Sequence, residues 1–143
     1  MRRTWISLVG LAFFQGLTAI AGGVGLVAGW ITPGEDLLEG SPFDGYVVPG
    51  AALLGVGVLT TVAAIAAERR QPFAAPLAGL AGVAMIVFEL VEVAVIGFNA
   101  LQVVYGIAGL LLVALAARLW RAGATGSVVP RSRVPASEAS PTF

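Results

Sequence analysis

The chain has 143 residues, 58% of them hydrophobic and only 11% charged, with a formal net charge of zero and a mean hydropathy of +0.94. A soluble domain carries about 25% charged residues, so this composition excludes an ordinary water-facing surface, and the balanced charge excludes a basic field for nucleic acid. There is no cysteine and no histidine, and all eight basic residues are arginine; disulfides, thiol and imidazole catalysis, and thiolate or imidazole metal sites are thereby removed.

Apolar runs follow one another at roughly Trp5–Ile31, Val47–Ala67, Ala74–Phe98 and Ala100–Trp120. Each is long enough to cross a ~30 Å hydrocarbon layer as a helix, and the dominance of Ala, Leu and Gly without alternation argues against strands. They predict an all-α fold: an integral membrane, antiparallel four-helix bundle over residues 1–121, with helices at about 5–31, 42–67, 74–98 and 100–120. The Ser-, Pro- and Ala-rich residues 122–143 are expected to be a disordered cytoplasmic tail.

The first run begins "MRRTWISLVGLAFFQGLTAIAGG". A basic start, an apolar stretch and an A-x-A site at Ala19–Ala21 also describe a cleaved signal peptide. Apolar sequence continues to Ile31, however, and cleavage would leave three spans. Before the second run, Ser41 can cap a helix whose first residue is Pro42, which would put Pro49 inside it as a kink; alternatively the helix starts at Pro49.

Arginine sets the expected direction. Arg2 and Arg3 precede the first span, Arg69 and Arg70 join the second to the third, and Arg118, Arg121, Arg131 and Arg133 follow the fourth. All eight fall on one side of a four-span chain, which the positive-inside rule makes cytoplasmic. Glu35, Asp36, Glu39 and Asp44 fall on the other side. Both termini are therefore expected inside, in a multi-pass protein of the cell (cytoplasmic) membrane.

Small residues recur at helical spacing. Gln15, Thr18, Gly22, Gly25 and Gly29 share one face of the first span; Gly50, Leu53, Gly57, Thr60 and Ala64 of the second; Ala75, Ala78, Gly82, Met85, Glu89, Glu92 and Ile96 of the third; Gln102, Tyr105, Gly109, Leu112 and Ala116 of the fourth. Such seams let helix backbones approach closely in lipid. Gly22, Gly25, Gly29, Gly82 and Gly109 are the expected packing positions. Gly25 and Gly29 form a GxxxG that would suit a homodimer, but a seam on every helix favours packing within one bundle.

"VAMIVFELVEVAVIGF" sets Glu89 and Glu92 in an apolar run. A charge at mid-helix costs about 2.5–3.5 kcal/mol, and each large aliphatic returns about 0.3–0.6. The eleven Leu, Ile, Val and Phe residues from Leu77 to Ile96 barely offset two such charges. Facing the bundle interior is the expected resolution. No arginine reaches that depth, so the acids are expected to be neutral, hydrogen-bonded, or paired with something outside the chain. Rise along the helices brings Gln15, Thr18, Glu89, Glu92, Gln102 and Tyr105 to similar heights, as one buried polar network.

That network supports two readings. In the first, the protein is a small accessory or structural membrane protein whose polar residues hold the helices in register. In the second, Glu89 and Glu92 serve a proton- or cation-coupled transport component; a four-span chain is small for a whole transporter, so this version calls for a dimer. E-x-x-E lacks the histidine of a di-iron helix pair, and no nucleophile motif occurs. No metal, cofactor or enzymatic activity is expected, and the partners are the lipid bilayer and either a homodimer mate or another membrane protein.

"QGLTAIAGGVGLV", "LLEGSPFDGYVVPGAALLGVG" and "ELVEVAVIGFNALQVVYGIAGLLLVALA" resemble an uncharacterised family of small bacterial four-transmembrane-helix membrane proteins. The resemblance covers roughly residues 10–117, and SPF-x-x-Y-x-x-PG and the acid followed by LQ-x-x-Y are its distinctive parts. It implies a four-span bundle in a bacterial inner membrane and carries no catalytic residues. The architecture is also similar to that of four-span multidrug exporters, whose membrane acid stands in the first helix where this chain has Gln15.

Overall fold

The computed structural model describes residues 1–126. Four helices follow in order: α1 (Arg2–Val27), α2 (Val47–Glu68), α3 (Ala74–Ile96) and α4 (Ala100–Gly126), with a 3₁₀ turn at Glu35–Leu38 between the first two. Each is long and apolar enough to cross a membrane. They form a ring in which α1 packs most on α2 and α3 most on α4; α2–α3 and α1–α4 contacts close it. Gly16 meets Thr61 while Gly23 meets Gly50 and Leu54, and Gly79 meets Ala116 while Gly82 meets Gly109. Within each tight pair the helices therefore run antiparallel.

Several helix ends differ from expectation, beginning with α1, which already starts at Arg2. α1 stops at Val27 instead of Ile31. Gly29 turns left-handed, with φ 72°, and its N–H and that of Trp30 bond back to the carbonyls of Leu26 and Gly25 at 3.2 and 2.9 Å. This is a Schellman cap, which Gly enters without steric cost. α2 starts at Val47, at neither Pro42 nor Pro49; Ser41 closes a local turn, accepting from the Phe43 N–H at 3.3 Å. Pro49 is the third residue of α2, where a missing N–H breaks no helical bond. α3 ends at Ile96 rather than Phe98, and Gly97 leaves it at φ 80°, ψ 178°, a region open in practice only to glycine. The helical part of the expected tail, 122–126, continues α4; residues 127–143 lie outside the described residues.

The packed apolar core is small and sits at one end. Leu8 and Ala12, Ala63, Ala64, Ala66 and Ala67, Ala74, Ala78 and Ala81, and Leu112, Ala116 and Leu119 build it, and alanine dominates. Large apolar side chains point outward all around the bundle: Phe14, Leu17, Val62, Leu80, Leu90 and Leu110 are all exposed. Small inside and large outside is the arrangement of helices packed in an apolar solvent, where van der Waals fit replaces hydrophobic drive. The fold fits a multi-pass helical membrane bundle.

At the core end lie Arg2, Arg3, Arg69, Arg70, Arg118 and Arg121, with Arg70 in a second Schellman cap (φ 51°) and its guanidinium 5.6 Å over the ring of Trp5. At the opposite end lie the loop carrying Asp36, Glu39 and Asp44, the α3 glutamates Glu89 and Glu92, and a cleft between α2 and α3.

Candidate functional site

α3 carries its acids toward the loop end. Glu89 is 7% exposed and Glu92 half-buried, and their carboxyl groups, one turn apart, interact directly. Glu89 Oε2 is buried and has no hydrogen-bond partner. Two carboxylates in contact repel, and a shared proton or a cation removes that repulsion. All the described arginines are at the far end of the bundle, so neither acid has an internal counter-charge. Among the described residues no group of three acids gathers as a metal cage would require.

Gln102 ties this pair to α4 through a helix cap. Asn99 Oδ1 accepts from the N–H groups of Leu101 and Gln102 at 2.8 and 3.3 Å, and Gln102 Oε1 accepts from the Asn99 N–H at 2.9 Å. That reciprocal capping box satisfies the first donors of α4. Gln102 Nε2 is left to donate to Gly97 O at 3.0 Å and, over a long 3.5 Å, to Glu92 Oε2. The role of Asn99 was legible in "NALQ", an N-cap residue followed three positions later by Gln.

The other expected members stand apart. Gln15 is fully buried, yet neither its Nε2 nor its Oε1 has a partner. Trp5 and Ala75 line one hollow at the arginine end; counting ~1.5 Å per residue from them places Gln15 about 6 Å below Glu89 along the bundle. Thr18 donates to Phe14 O at 2.7 Å, on its own helix. Tyr105 is half-buried and makes no hydrogen bond to Glu92. The single network expected from height alone is thus two separate features, a Glu89–Glu92–Gln102 cluster and an isolated Gln15.

The packing glycines are corrected on α1. Gly29 belongs to the cap, and Gly25 makes room for the side chain of Ile31 folding back from the loop. Gly22 does pack on α2, but against a side chain: a Cβ there would lie 3.3 Å from Leu53 Cδ2. The close approach to α2 is made at Gly16 and Gly23, one helical position away, against Gly57 and Gly50. On α3 and α4, Gly82 and Gly109 do meet across the interface: a Cβ on Gly82 would lie 2.8 Å from Gly109 O.

Glu89 and Glu92, on one face of α3, line different grooves beside it. Glu89 and Gln102 line a groove of about 240 Å³ between α3 and α4. Glu92 lines a cleft of about 350 Å³ between α2 and α3, beneath the loop. The carboxyl pair, with its unpaired oxygen, thus stands between two apolar grooves in a bundle of four helices that are each long and apolar enough to cross a membrane. No known protein family, curated protein or solved structure matches the chain.

Proposed function

We propose that the protein is a small accessory protein of a bacterial cytoplasmic membrane, with both termini inside, whose Glu89–Glu92 pair binds a proton or a cation. Membership of the bacterial four-span family that the sequence resembles is part of this reading. One observation carries the site: Glu89 is more than nine-tenths buried with a partnerless oxygen, it stands one turn from a second carboxyl with which it interacts, and no described arginine shares its end of the bundle. Groups that serve only to lock helices together are ordinarily satisfied by protein partners. The outward aliphatic surface and the gathering of arginines at one end support the membrane and its orientation. Coupled transport by a pair of chains is the same chemistry carried further.

A second reading rests on Gln102, whose amide joins Glu92 to Gly97 and the cap of α4. There the acids hold α3 and α4 in register, a contribution of about 0.6 kcal/mol per bond. Carboxyl infrared spectra of the protein in lipid nanodiscs separate the two, taken from about pH 5 to about pH 9 for the native chain, Glu89→Gln and Glu92→Gln. A protonated C=O band that disappears within that range, or on adding cations, and that is missing from the variants is expected of a binding site. A band unchanged throughout defeats it and leaves the register role.

A further inference from the structure

The cleft under the loop has a composition that selects its ligand. Its walls are apolar and partly aromatic, with Phe43, Tyr46, Phe88 and Val91 among them, and among the described residues Glu92 is the one charged group lining it. The loop that roofs it is held down: the Tyr46 hydroxyl donates to Gly34 O at 2.8 Å, and the 3₁₀ turn rests against α3. Next to it lies a second hollow of about 520 Å³, lined by Asp36, Glu39 and Asp44. The two share Leu38, Phe43 and Tyr46 as a common wall.

We propose that the cleft between α2 and α3 binds an apolar molecule bearing an ammonium group, with the ammonium on Glu92 and the apolar body among Phe43, Tyr46 and Phe88. This rests on the reading of the carboxyl pair as a cation site and names its ligand class. Three features select that class. The acidic hollow raises the local concentration of cations, and no described basic residue lines it. The aromatic faces attract an ammonium group as well as hydrocarbon. The cleft volume falls in the range of small-molecule sites, mostly apolar with a few placed polar groups. A bare inorganic ion would gain nothing from the apolar walls. A lipid chain would leave Glu92 without a counter-charge.

The test uses the full chain in phosphatidylcholine nanodiscs, with empty nanodiscs as background. Binding of 1-adamantylamine and of its neutral counterpart 1-adamantanol is measured by equilibrium dialysis. The amine is expected to bind saturably, one per chain, and at least about tenfold more tightly than the alcohol, a difference of about 1.4 kcal/mol. Glu92→Gln is expected to remove that preference. Ala52→Trp, an exposed residue that lines the cleft, is expected to block binding with the charge left in place; thermal melting confirms that each variant is folded. Equal binding of amine and alcohol, or amine binding unaffected by Glu92→Gln or by Ala52→Trp, overturns the proposal. If it is overturned while the infrared carboxyl band still responds to sodium or potassium, the cation site stands and only its ligand class is wrong. If that band responds to neither cations nor pH, the site reading itself has failed.

Discussion

Gly23→Ala tests the α1–α2 contact directly. A Cβ at Gly23 would lie 2.6 Å from Leu54 N, 2.7 Å from Gly50 O and 2.8 Å from Leu54 Cα, all backbone atoms that cannot rotate away. Carbon atoms pack at about 3.5–4.0 Å, so α1 must withdraw by about 1 Å to admit the methyl group. A gap of that size forfeits a quarter to a half of each ~0.1–0.2 kcal/mol atom contact along the interface, which places the loss within the ~1–3 kcal/mol of core overpacking. Better helix propensity returns up to about 1 kcal/mol. A net destabilisation of about 1–2 kcal/mol is expected. Gly10→Ala is the control, because nothing lies within 4 Å of its Cβ position, and it is expected to be neutral or slightly stabilising. Reversible unfolding by SDS in mixed micelles, followed by tryptophan fluorescence, reads both. If Gly23→Ala unfolds together with Gly10→Ala, the two helices do not approach as described, and the same contact at Gly16 and Gly57 falls with it.

Gln15→Leu is expected to raise stability in that assay by about 1–3 kcal/mol, since it removes a buried amide with no partner at little change in volume; a loss of stability would show that the amide is satisfied. Asn99→Ala deletes the cap of α4 and is expected to cost about 0.5–2 kcal/mol, visible as faster amide exchange at Leu101 and Gln102; unchanged exchange would refute the capping box. Single cysteines at Asp44 and Gln71, in a chain that has none of its own, are expected to react with an impermeant maleimide from opposite faces of the membrane. Labelling of Gln71→Cys in intact cells would reverse the proposed orientation.

The seams show how far pattern reaches. On α2, Gly50, Gly57, Thr60 and Ala64 are all buried, as are Ala78, Gly82, Met85 and Glu89 on α3 and Gly109, Leu112 and Ala116 on α4. In those helices one face is small and the others are bulky, so the face itself identifies the interior. α1 is ambiguous because "AGGVG" puts glycine on two neighbouring faces about 100° apart. Composition does not choose between Gly22 and Gly23; the backbone of α2, standing at Leu54 and Gly50, does. Gly29 departs from the expected face for a related reason, since a glycine four residues after another marks a packing face only while the helix continues, and α1 ends at Val27.

Four apolar stretches, their approximate limits, the gathering of arginine at one end and the inward face of Glu89 were all determined by sequence. Each depends on a local count of residues, a 1.5 Å rise or the cost of an exposed charge. Only the tertiary structure decided which polar groups meet. Equal height along a bundle does not bring side chains together unless they also face one another, and two of the groups found nearer partners: the Thr18 hydroxyl on its own helix, the Gln102 amide on its own cap. The cleft beside Glu92 is likewise a product of the fold, because its walls come from α2, α3 and a loop folded back over both.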